Sequence, residues 1–244
     1  MGKTVFNPIT TKWRGAIGGF RYSVVRGKQV IAERASAVKN PNTTAQKQVR
    51  NKFKLASQFS NVWRSLIAMF LADKNMDLVE TRALATKLAF ASATSGDPET
   101  SDLNLNTFSA YMNSKFLRPS SNLTVVFTNQ AQTITAANNT DVVYQVLAFG
   151  ADGNIIAKTV QTVALTAGTP HNIILPATRE TPARYDILAF EVKTSTEEGY
   201  GAISEIEGNY NGELGTNFYS NFREALESAN AEICSMISAS TLAA

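Results

Sequence analysis

The sequence predicts an α+β fold: a basic N-terminal arm carrying a hairpin, a helical layer, an antiparallel β-sandwich of about seven strands, and a C-terminal helix. Three observations carry the prediction. Apolar residues recur every three or four positions between 49 and 116, the spacing of a helix face. After Asn122 the chain changes to short β-rich runs bounded by Asn, Asp, Gly and Pro, the punctuation of antiparallel sheets. Beyond the glycine-rich stretch 209–215 the helical spacing returns. The chain is therefore read as an arm at 1–40, a helical domain at 41–118, a sandwich domain at 119–210 and a terminal helix at 211–244.

In the arm, Trp13-Arg14-Gly15 leads through Gly18-Gly19 into the β-rich run 20–25, and a second run, 28–34, follows the Arg26-Gly27 turn. Two such runs across two residues read as a hairpin, with Gly27 supplying the positive φ that the turn demands. A lone hairpin is marginal in water. It must dock on the body or on a neighbouring subunit, which leaves Arg21, Arg26, Lys28 and Arg34 to face an acidic partner.

Asn40-Pro41 ends the extended segment. Thr43 followed by Gln46 has the form of a capping box, in which hydroxyl and amide satisfy each other's orphan donors, so a helix starts there. Val49, Phe53, Ala56, Phe59, Trp63, Leu66 and Phe70 then form one stripe that is expected to face the core throughout, with Lys47, Arg50 and Lys54 projecting away from it. Further helices are predicted over 77–92 and 104–116, separated by a loop at 93–101 rich in Thr, Ser, Gly, Asp and Pro. Strands are predicted at 123–127, 133–136, 142–149, 155–165, 172–175, 185–193 and 201–206. The terminal helix is placed over 217–238 through Phe218, Phe222, Leu226, Ala229, Ile233 and Ile237, and is expected to pack back on the helical layer or on a neighbour.

Charge is distributed unevenly. Residues 1–54 hold 12 Lys/Arg and one acidic residue, Glu33, for a net +11, whereas the remaining 190 hold 11 basic and 19 acidic residues, for a net −8. Such polarity points to a basic segment that meets an anionic surface. No apolar run is long enough to cross a bilayer, and the N-terminus lacks the charged head and apolar middle of a secretory signal, so a protein made in the cytoplasm with no membrane partner is expected.

The chain carries none of the common catalytic signatures. The chain has no phosphate-binding G-x-x-x-x-G-K loop, dinucleotide turn, nucleophile elbow or zinc helix, and Gly15, Gly18 and Gly19 precede a strand without the Lys-Ser/Thr that phosphate binding needs. Cys234 is the only cysteine and His171 the only histidine, which rules out an intrachain disulfide and a Cys/His metal cluster. Cys234 reads as a buried small hydrophobe and His171 as a surface loop residue. Glu197-Glu198 and Glu205-x-Glu207 lack the spacing of a calcium loop. A non-enzymatic protein with no catalytic residues, no metal and no cofactor is therefore expected.

Two functions compete for the basic segment. In the first, Arg14, Arg21, Arg26, Lys28, Arg34, Lys47 and Arg50 contact a protein partner. In the second, Lys12, Trp13, Arg14, Phe20, Arg21 and Tyr22 bind nucleic acid, cations neutralising phosphates while aromatic rings stack on bases.

The stretch Gly15 to Arg34, followed by Asn40-Pro41-Asn42-Thr43-Thr44-Ala45-Gln46 and then Arg50 and Phe53, resembles an uncharacterised protein family of Bacteroidetes and their phages and prophages, with its basic Gly-rich hairpin, N-P-x-T-x-x-Q-x-x-x-R-x-x-F helix start and β-rich C-terminal half. The resemblance covers roughly residues 2–70 and is architectural beyond Asn122. It implies a virion structural protein of a head, head–tail connector or tail, present in multiple copies. Its partners would be other virion proteins and copies of itself, with packaged nucleic acid as the alternative.

Overall fold

The computed structural model describes residues 15–17, 19–25, 28–33, 43–93, 103–193, 222–223, 226–227 and 231–242. Residues 1–46 and 47–244 form two compact units. In the first, β1 (Gly15–Ile17), β2 (Phe20–Val25) and β3 (Lys28–Glu33) make a three-stranded antiparallel sheet in the order β1-β2-β3. β2 and β3 pair from Phe20 with Glu33 to Val25 with Lys28. The third strand is an addition: Gly15 to Ile17 pair with Tyr22 to Phe20. Gly27 and its turn lie outside the described residues.

The helices follow local capping chemistry. α1 (Thr44–Val62) starts after Thr43, whose hydroxyl accepts the Gln46 N–H at 3.4 Å. α3 (Leu78–Ser92) opens on a full capping box: the Asp77 carboxylate accepts the Glu80 N–H at 2.6 Å, and Glu80 accepts the Asp77 N–H. α4 (Leu105–Phe116) opens on Asn104, whose side chain accepts the Thr107 N–H at 2.8 Å, and closes on Leu117 in the left-handed region at φ 49°. Between α1 and α3 lie α2 (Arg64–Phe70) and a 3₁₀ turn at Ala72–Lys74. The helix is interrupted between α1 and α2 at Trp63, and the Gln145 amide donates to the Val62 carbonyl at 2.9 Å.

The predicted core stripe is only half correct. Ala56, Trp63, Leu66 and Phe70 are buried at 1% exposure or less, but Val49 and Phe53 are each 57% exposed. The buried part of the stripe begins at Ala56; the first turns of α1 carry apolar residues that the body does not cover.

Beyond α4 run β4 (Leu123–Phe127), β5 (Gln132–Ala136), β6 (Thr140–Phe149), β7 (Ile155–Leu165), β8 (His171–Asn172), β9 (Arg184–Lys193) and β10 (Glu232–Leu242). They form a four-stranded sheet, β10-β9-β6-β7, and a three-stranded sheet, β4-β5-β8, both antiparallel. The strand predicted at 172–175 shortens to two residues, and that predicted at 201–206 lies outside the described residues.

The terminal helix is overturned in part. Residues 222–223 and 226–227 are helical, but 232–242 is the long strand β10. The cause is a β-bulge: Ile233 pairs with Val192 and Met236 with Phe190, so Cys234 and Ser235 together oppose the single residue Glu191. The extra residue puts Ile233 and Met236 into one core while Ile237 and Ala239 pack in the other. A strand buried on both faces shows no alternation, and the four-residue step from Ile233 to Ile237 imitates a helix.

Those two cores organise the second unit. One joins Leu66, Phe70, Phe108 and Met112 to Val143, Leu188, Phe190 and Val192, with Phe222 and Leu226 contributing from the C-terminal segment. The other lies between the two sheets, where Phe127, Ile134 and Ala136 meet Val142, Tyr144, Val146, Ile187 and Ala189. The open edge of β10 is occupied by α4 and the chain that leaves it. The Asn113 side chain exchanges hydrogen bonds with the Met236 N–H (2.7 Å) and C=O (2.9 Å), and the Ser235 N–H donates to the Pro119 carbonyl at 2.8 Å.

Candidate functional site

The N-terminal sheet sorts its side chains by face, because residues paired directly across strands share one side. Phe20 pairs with Glu33 and Tyr22 with Ile31, so the two aromatic rings and Ile31 lie on one face. Arg21 pairs with Ala32, Ser23 with Val30 and Val25 with Lys28, so the charges of Arg21 and Lys28 belong to the other. None of this sheet's side chains is buried among the described residues; Phe20 and Ile31 are 51% and 52% exposed.

Of the residues predicted to contact a protein partner, Arg21, Lys28, Lys47 and Arg50 are all exposed. Arg14, Arg26 and Arg34 lie outside the described residues, as do Lys12 and Trp13 of the nucleic-acid set. The remaining members of that set, Phe20, Arg21 and Tyr22, are described, but adjacent strand positions put Arg21 on the face opposite the rings.

A second surface, in the other unit, was not anticipated. Val49, Arg50, Phe53 and Lys54 of α1 face Ala83, Thr86, Lys87 and Phe90 of α3 across a groove of about 670 Å³. Its floor is apolar, and every charged group on its walls is basic. Lys52 sits 4.6 Å over the Phe90 ring, a cation–π contact that holds the ring at the groove's edge. The signal for this surface was in the sequence: α1 carries Lys47, Arg50, Lys52 and Lys54 and no acidic residue, beside apolar residues at a four-residue step. It was obscured because the apolar stripe was assigned to the core along its whole length.

A cleft of about 310 Å³ also opens between Phe59 and Trp63 on one side and Leu147 and Phe149 on the other. Its charged groups neutralise each other. The Arg184 guanidinium stacks 4.3 Å over Phe149 and its Nε lies 3.2 Å from Asp186, whose carboxylate also accepts the Ser240 hydroxyl at 2.6 Å.

Cys234 is fully buried, and burial, reinforced by the negative charge of Glu191, pushes its thiol up to about 11. Burial was expected; its place in a strand was not. His171 lies in β8 opposite Ile134 and is half-buried, so the surface-loop reading is corrected. Among the described residues no group of three His, Cys, Asp or Glu could hold a metal ion, and no helix is long and apolar enough to cross a membrane. Glu197, Glu198, Glu205 and Glu207 lie outside the described residues. Comparison with protein-family models, with curated proteins and with solved structures finds no match.

Proposed function

We propose that the protein is a bacteriophage virion structural protein, a non-enzymatic component of a head, head–tail connector or tail that assembles in multiple copies through its basic N-terminal segment. It would be made in the host cytoplasm and act in the virion, with other virion proteins and copies of itself as partners. In this reading the two sheets of the body serve as a β-sandwich scaffold.

The observation that supports it is the N-terminal sheet, in which no described side chain is buried although Phe20, Tyr22 and Ile31 share a face. A small sheet gains stability when its apolar face is covered, and in this reading a neighbouring subunit supplies that layer. The opposite face, with Arg21 and Lys28, offers charge to an acidic neighbour. Separation of the rings from Arg21 favours protein contact over nucleic acid, where stacking and phosphate neutralisation act on the same strand.

The test places two double variants in the full chain and measures incorporation into particles. Phe20→Ser with Ile31→Ser removes the apolar face; Arg21→Glu with Lys28→Glu reverses the basic one. Loss of incorporation in both is expected. Retention on DNA that falls steeply with salt, and that only the charge reversal abolishes, would transfer the segment to a nucleic-acid role.

A further inference from the structure

We propose that the groove between the N-terminal half of α1 and the middle and later turns of α3 is a docking site for an acidic amphipathic helix of another protein. The helix would be seated by apolar side chains on the floor and held by carboxylates against Lys54 and Lys87. Because the groove lies wholly in the second unit, this role does not depend on what the N-terminal sheet binds.

Shape is the first support. Val49 and Phe53 are one helical turn apart on α1; Ala83, Lys87 and Phe90 step along the facing side of α3. An apolar groove walled by two helices takes an amphipathic helix with apolar residues three and four apart. At about 670 Å³ the furrow has room for two or three large side chains, and the small Ala83 lets a backbone approach closely. Val49 and Phe53, each 57% exposed, hold apolar surface in water that a partner would cover.

Charge selects the partner. Arg50, Lys54 and Lys87 line the groove with no acidic residue among its walls, and neither Lys54 nor Lys87 enters any of the ion pairs among the described residues. Lys54 and Lys87 beside an apolar floor favour a ligand with Glu or Asp flanking Leu, Ile or Phe. Nucleic acid fits the floor less well. Bases require open ring faces, and Lys52 already occupies a face of Phe90.

The experiment titrates the full chain against a fluorescein-labelled synthetic peptide of about 18 residues, with Leu at helical i, i+4, i+7 and i+11 and Glu on both flanks. A twin has every Glu replaced by Lys. Saturable anisotropy in the micromolar range, about −8 kcal/mol by conversion of 1 μM, is expected for the acidic peptide and none for its twin. Ala83→Glu, which places a carboxylate in the furrow, should weaken binding at least about tenfold, as should Phe53→Asp. Both residues are exposed, so the far-UV circular dichroism and melting temperature of these variants should match the parent. Lys54→Glu with Lys87→Glu should reverse the preference and take the basic twin, a swap that misfolding cannot produce.

The proposal fails if the acidic peptide does not saturate up to about 1 mM, or if the twin binds equally well. It fails equally if an oligo-dT probe binds and Ala83→Glu abolishes that binding, which assigns the groove to nucleic acid. Dimerisation of the chain that Phe53→Asp abolishes would assign the groove to a second copy and overturn it as well.

Discussion

Arg118 holds Asp73 through two parallel hydrogen bonds, Nη1 to Oδ2 at 2.8 Å and Nη2 to Oδ1 at 2.7 Å, across 45 positions of sequence. The same guanidinium donates to the Phe70 carbonyl and stacks 4.6 Å over the Phe70 ring, and the Arg118 side chain is 4% exposed. One residue at the exit of α4 thus ties together the end of α2, the 3₁₀ turn and the start of the sheets. A planar fork is needed for all three contacts at once, which a lysine cannot supply.

Arg118→Ala should therefore destabilise the protein by about 2–3 kcal/mol in urea unfolding, since it leaves a buried carbonyl and a carboxylate without their charged donor. Arg118→Lys should recover less than half of that. If the lysine variant unfolds at the parental midpoint, the fork geometry is not what holds this corner.

The same pair sets a pH dependence. Burial pulls the Asp73 carboxyl upward, but hydrogen bonds and charge from Arg118 and Lys74 outweigh it and hold the pKa below the ordinary value. A carboxyl lowered in the folded state contributes stability that is present above its unfolded pKa of about 3.9 and is lost as pH falls through the folded one. Asp141, raised by burial, acts in the opposite sense. Asp73→Asn should flatten the acid limb of a stability profile below about pH 4, and Asp141→Asn should not.

Two residues of one apolar stripe should respond differently. Leu66→Ala should cost about 2–5 kcal/mol, because Leu66 is fully buried and leaves a cavity. Phe53→Ser should cost less than about 1 kcal/mol, since more than half of its surface is already in water. Equal costs, measured by chemical denaturation, would show that Phe53 is part of the folded core after all.

Cys234 should resist a thiol reagent at pH 8, where a group raised to about 11 is almost wholly protonated and its side chain is buried. Ellman titration should read close to zero thiols in the native protein and one after denaturation. Rapid native labelling would contradict both the burial and the bulge that places Cys234 beside Glu191.

How much of this was legible in the sequence depended on whether the signal was local. The predicted helices at 77–92 and 104–116 start within one residue of α3 and α4, whose caps, Asp77 with Glu80 and Asn104 with Thr107, are satisfied within one turn. β6 and β9 were placed within two residues by their long apolar runs. The errors arose where a neighbour decides the outcome. Nothing local tells the stripe from Val49 to Phe70 where its cover begins, or where Gln145 will take the Val62 carbonyl. The bulge at Cys234 and Ser235 exists only against Glu191, and the Ser/Thr-rich stretch that follows Met236 was the available hint of a strand. The opposed faces of the N-terminal sheet were implicit in its alternation, which argued against joining Arg21 to Phe20 and Tyr22 in one binding set.

The most direct measurement of the central claim is a competition for incorporation between the full chain and a chain lacking residues 2–36, supplied together with distinguishable tags. The assembly reading predicts that purified particles contain the full chain and exclude the shortened one, while the shortened body retains its circular dichroism spectrum. Equal incorporation of the two would contradict it.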